Sequence, residues 1–143
     1  MREFKFRGKC VQDSRYAGEW VEGGCAMPDE DCVKKVDEWL IVAYLGGNCS
    51  CSYHVIPETV GQFTGLLDKN NKPIYEGDIV KDERGKVGYI GWLQQECGFV
   101  IVWEKSDSRL GHRARGSGYK HDLSLEVIGN IYENKELLEG GTK

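Results

Sequence analysis

Arg109, Arg113, Arg115 and Lys120 cluster in a chain that is otherwise acidic, with 23 Asp and Glu against 19 Lys and Arg. His112, Tyr119 and His121 are interleaved with them, and Gly111, Gly116 and Gly118 free the backbone to shape itself around a ligand. Guanidinium groups fork onto phosphate oxygens, and an aromatic ring can stack on a base. Segment 109–121 is therefore the candidate binding loop for a phosphate or a nucleic acid, with Arg109, Arg113, Arg115, Tyr119 and Lys120 as its binding residues. The competing reading is a solvated connection whose charges only keep it soluble.

The six cysteines offer a second chemistry. Cys25, Cys32, Cys49, Cys51 and His54 can be written as C-x6-C and C-x-C-x2-H, and thiolates bind zinc well. The spacing is not that of a zinc knuckle, and a strand would place His54 on the face opposite Cys49 and Cys51. Buried free cysteine behaves as a small hydrophobe. The reading preferred for Cys49 and Cys51 is core thiols, with no metal and no cofactor.

The block "TGLLDKNNKPIYEGDIVK", residues 64–81, is rich in glycine and acid. A phosphate cradle needs closely spaced glycines ahead of a helix N-terminus. Here Gly65 and Gly77 are far apart between strand-like stretches, so the block reads as scaffold. Glu76 and Asp78 could share a strand face as an acid–base pair. Beside a tight turn, however, Asp is more at home as an acceptor for backbone amides. Cys97, His112 and His121 carry no local nucleophile signature. No set of residues fills the roles an enzyme needs, and the expectation is that the protein is not one.

The elements that must position these residues follow from alternation. "EFKFRG" puts Phe4 and Phe6 on one face of a half-buried strand. "GEWVEGG" is a short strand anchored by Trp20. "PDEDCVKKVDEWL" is the one helical candidate, with Pro28 suited to a first turn and Cys32, Val33, Val36, Trp39 and Leu40 at helical spacing. "LIVAYLGGNCSCSYHVI" reads as a hairpin turning at Gly46-Gly47-Asn48. In its second strand Cys49, Cys51, Tyr53 and Val55 share one face, and Ser50, Ser52 and His54 the other. "PETVGQFTG" links this half to a string of hairpins whose tight turns fall at Asn70-Asn71 and Arg84-Gly85. Val80 and Trp103 should be core residues of that second half. "NKELLEGGTK" reads as a short helical turn at most, in a loose tail.

Short, twisted strands over some seventy residues suggest a small closed barrel, which leaves no exposed edge. The fold class expected is mainly β: a β-rich part over 1–60, a barrel over 61–133, and a tail over 134–143. The start, "MREFKFRGK", lacks the apolar core of a signal peptide, and no run is long enough to span a membrane, so the expected location is cytoplasmic.

"TVGQFTGLLDKNNKPIYEGDIVK" and "VIGNIYEN", with the opening "REFKFRG", resemble the YopX family of phage- and prophage-encoded proteins. The opening reads "FRGKC" where the family more often has "FRAWD". The resemblance implies a β-rich fold with an SH3-like barrel and an origin in a mobile element. It implies no activity, so no catalytic residue is carried over.

The expectation for function is a non-enzymatic accessory protein acting by binding or self-assembly. Trp39, Trp92 and Trp103 offer more aromatic surface than a small barrel easily hides, which favours a homo-oligomer. One alternative is a nucleic-acid-binding module using the loop 109–121. Another is an oligomer that sequesters a phosphorylated small molecule in its clefts.

Overall fold

The computed structural model describes residues 4–12, 14–28, 39–46, 49–104, 107–110 and 125–140. The chain divides into two compact units, Met1–Gln62 and Phe63–Lys143. The protein is mainly β, built from antiparallel pairs.

In the first unit β1 (Phe6–Lys9) pairs with β2 (Trp20–Gly23), and β3 (Cys25–Pro28), β4 (Trp39–Gly46) and β5 (Cys49–Val55) form a sheet with β4 in the middle. β4 and β5 are the hairpin expected from the alternation, and Gly46 takes the positive φ, +96°, at its turn. Cys10, Ile41 and Val55 are the buried core, with Phe6, Val21, Trp39 and Tyr53 packed against them. The Cys51–Tyr53–Val55 face of β5 is thus the inward one.

Three expectations change here. The helix predicted from Pro28 to Leu40 is interrupted at both ends: Pro28 closes β3, and Trp39 and Leu40 open β4 as partners of Pro28 and Met27. Strand pairing overrides the helical spacing there; residues 29–38 lie outside the described residues. Phe4 precedes β1 and stays 55% exposed, so only Phe6 of that pair reaches the core. Among the described thiols the fully buried one is Cys10, whereas Cys51 is half-buried and Cys25 exposed.

The stretch read as a link, residues 57–65, contains most of β6 (Gly61–Leu67). Its first two residues pair with β1, and the rest pairs with β7 (Pro73–Tyr75) in the second unit. There β8 (Asp78–Lys81), β9 (Val87–Leu93), β10 (Gly98–Val102), β11 (Asp107–Arg109) and β12 (Glu126–Asn130) form a five-stranded sheet in the order β11-β10-β9-β8-β12. Among the described residues no strand pairing closes this sheet into a barrel. Val80, Ile90, Ile101 and Val127 lie on one sheet face and share a core with Ile74 and Leu125.

The register puts Ile79, Tyr89 and Val100 on the opposite face, where Ile79 and Val100 are also buried. The short helical turn expected in the tail is α1 (Glu136–Gly140), which is not loose but packs against β9. Val80 is fully buried as expected. Trp103 is only partly buried: it packs on the edge of the core with the Lys86 ammonium 4.7 Å from its ring.

Candidate functional site

The turn-rich block resolves into two copies of one device. In residues 68–72 the Asp68 N–H donates to the Lys72 carbonyl at 2.8 Å and the Asn71 N–H to the Asp68 carbonyl at 3.1 Å. Asp68 Oδ1 accepts from the N–H groups of Asn70 and Lys72 at 2.8 and 2.9 Å. Residues 82–86 repeat every bond. Asp82 N–H reaches the Lys86 carbonyl and Gly85 N–H the Asp82 carbonyl, while Asp82 Oδ1 accepts from Arg84 and Lys86 at 2.9 and 2.8 Å. The fourth residue is left-handed in each, Asn71 at φ +63° and Gly85 at φ +83°, which Asn and Gly tolerate best.

The copies differ in burial. Asp68 is completely buried, and its second oxygen accepts from the Val127 N–H at 2.9 Å, 59 residues away. The Lys69 N–H donates to the Leu125 carbonyl at 2.9 Å. The β6–β7 turn is therefore latched onto the start of β12.

A second latch joins the same two stretches. Gly77, at φ +91°, is covered by the Tyr132 ring: a Cβ there would lie 2.9 Å from a ring carbon. Its carbonyl accepts from the Ile131 N–H at 2.9 Å. Asp78, 1% exposed, accepts from the Tyr75 N–H at 2.8 Å, the backbone role expected for it. Asn130 Oδ1 in turn accepts from the N–H groups of Tyr132 and Glu133, both at 3.0 Å.

Glu76 and Asp78 do not form the facing pair considered from the sequence. Residues 76 and 77 are the turn between β7 and β8, and Asp78 is turned inward onto backbone. Burial pushes the Glu76 carboxyl above its ordinary pKa. The folded chain then holds this proton more tightly than the unfolded one, so the penalty grows as pH rises through the interval between the two values. Glu76→Gln should accordingly be more stable than wild type at pH 7. The two should melt alike at about pH 3.5, where the carboxyl is protonated in both states. Thermal melts at both pH values measure this.

The five-stranded sheet leaves an aromatic side chain open to solvent. Trp92 on β9 is 53% exposed and meets Phe99, its partner on β10, edge-on at 5.1 Å between centroids. The Leu110 N–H donates to the Phe99 carbonyl at 3.1 Å, so the residue that follows β11 lies beside this pair. Arg109 ends β11 opposite Val100. Arg113, Arg115, Tyr119 and Lys120 lie outside the described residues.

Cys25, Cys51 and Cys97 are separate thiols, while Cys32 and the side chain of Cys49 are outside what the structure describes. Among the described residues no three His, Cys, Asp or Glu side chains come together as a metal site would require. No described helix is long and apolar enough to cross a membrane.

Two latches, a duplicated aspartate turn and an exposed Trp92 packed on Phe99 define a β-scaffold whose most distinctive residues build the fold. The chain belongs to the YopX family, whose model, described as YopX protein, matches residues 5–139. The crystal structure of protein EF1440 from Enterococcus faecalis is similar in fold, with 23% sequence identity and a TM-score of 0.52 over 96% of this chain and 99% of that one. No curated protein matches the chain. The blocks that carried the resemblance, 59–81 and 127–134, are the ones that latch onto each other.

Sequence reasoning missed Asp68 and Asp82. The signal was available: D-K-N-N-K and D-E-R-G-K share an Asp, a residue suited to positive φ three positions on, and a Lys after it. Only burial distinguishes the two.

Proposed function

We propose that this chain is a non-enzymatic accessory protein of mobile-element origin that works inside the host cell by self-association. The supporting observation is Trp92. An indole left half in water, on a strand whose neighbours are apolar, adds surface that a partner copy would bury favourably. For the second unit we propose an SH3-like arrangement, supported by the latch of the β6–β7 turn onto β12 and by the core that Leu66 and Ile74 share with the five-stranded sheet.

Light scattering with native mass spectrometry tests self-association. Wild type should have a mass above that of one chain, and Trp92→Ser should lower it while leaving the melt intact. A wild type that is monomeric at tens of micromolar would sink the reading.

A second reading is favoured by the path at Leu110. A basic segment that starts beside a Trp–Phe pair combines the charge and the stacking surface that single-stranded nucleic acid requires. Arg113→Ala/Arg115→Ala/Lys120→Ala should then abolish binding of an oligonucleotide. In wild type, log affinity should fall with log salt by about 0.7 per phosphate contact. Equal binding by wild type and triple variant removes this reading.

A further inference from the structure

A β-strand at a sheet edge presents unpaired N–H and C=O groups, and soluble proteins blunt such edges with short strands, proline, charge or a covering loop. The described edges here show those devices, with one exception. β12 is held by the Asp68 turn. β11 has three residues, β7 has three and begins with Pro73, and β3 ends in Pro28. β2 carries exposed Glu22, with Lys5 3.9 Å away.

β5 has seven residues, CSCSYHV, with neither charge nor proline, and among the described residues it pairs with β4 alone, apart from a single bridge between Val55 and Cys10. The whole hairpin, residues 39–56, contains no Asp, Glu, Lys or Arg. Tyr44, 72% exposed, stands beside Ser50 on the adjacent strand.

The bonds at the bridged end show which residues of β5 face outward. Val11 N–H donates to the His54 carbonyl and Ile56 N–H to the Lys9 carbonyl, so the even-numbered residues direct their backbone groups away from β4. The open groups are therefore those of Ser50 and Ser52, spaced symmetrically about Cys51.

We propose that β5 pairs antiparallel with β5 of a second copy about a twofold axis at Cys51, joining two three-stranded sheets into one of six strands. In this register Ser50 exchanges both N–H···O=C bonds with Ser52 of the second copy, and Ser52 does so with its Ser50. Cys51 faces its own counterpart in the pair without hydrogen bonds. A second copy is the fitting occupant because the register closes on itself, as a twofold interface requires, and because an uncharged hairpin meets no repulsion from its own copy. The inference rests on the self-association reading and adds to it a second surface, distinct from Trp92.

Ser50 and Ser52 have exposed side chains, so substitution there spares the core. Ser50→Lys/Ser52→Lys places Lys opposite Lys at both cross-strand positions, where like charges repel. Ser50→Glu/Ser52→Lys places Lys opposite Glu at the same positions. Native mass spectrometry and light scattering, with melts to follow folding, should show the β5-paired species lost in the first variant and recovered in the second. An unchanged mass in the first variant, or failure to recover it in the second, overturns the proposal.

If Trp92→Ser lowers the mass while the lysine variant does not, self-association stands and β5 pairing falls. If wild type is monomeric, both fall. The Glu/Lys variant decides the matter even if the lysine variant fails to fold, because β5 pairing requires it to assemble as wild type does.

Discussion

Asp68→Ala should destabilise the protein by about 3 to 4 kcal/mol, whereas Asp82→Ala in the matching turn should cost about 1 kcal/mol. Each carboxylate holds its own five-residue turn through the same pair of amides. At Asp82 the freed amides are exposed and water takes over. At Asp68 the Val127 N–H is left buried, and a polar group stranded in that way carries most of its desolvation cost. Losing the latch also frees the start of β12, whose pairing with β8 depends on a held register. Asp68→Asn should fall between, because its amide keeps one acceptor and sets a donor against the remaining N–H. Urea denaturation of the three variants measures the order. Equal losses at Asp68 and Asp82 would mean that the turn matters and the latch does not.

Gly77→Ala is the second large effect expected, about 2 to 4 kcal/mol. One part is the positive φ of +91°, which costs an L side chain of order 1 to 2 kcal/mol. The other is the Tyr132 ring, which would have to move because the new methyl would sit 2.9 Å from it. These parts separate experimentally. Adding Tyr132→Ala removes the crowding but not the backbone strain, so Gly77→Ala should cost less in that background than in wild type. A cycle with no coupling would show that the ring does not rest on Gly77 in solution.

Both residues lie in the stretches that most resemble the family, which explains how the chain can be placed so readily without an activity following from the placement. Asp68, Gly77 and Asp78 are distinctive because backbone amides, a left-handed turn and a covering ring leave little choice of residue there. Their pattern specifies an architecture. The binding surfaces proposed above, Trp92 and the β5 edge, rest instead on what stays exposed.

The sequence alone determined the β character, the hairpin turning at Gly46, the tight turns at Asn70-Asn71 and Arg84-Gly85, the burial of Val80 and the backbone role of Asp78. All of these follow from local rules: two-residue alternation, and the few residue types that accept positive φ or bond to nearby amides. Tertiary structure decided the rest. Trp39 and Leu40 sit at helical spacing yet form strand, because pairing with Met27 and Pro28 outweighs a weak local preference. Cys10 is fully buried and Cys51 only half so, because burial depends on which element packs over a strand. Asp68 and Asp82 carry the same local signal, and only a chain segment 59 residues away makes one of them a latch. That pairing is invisible to any local window, since it exists only once β12 has come to lie beside β8.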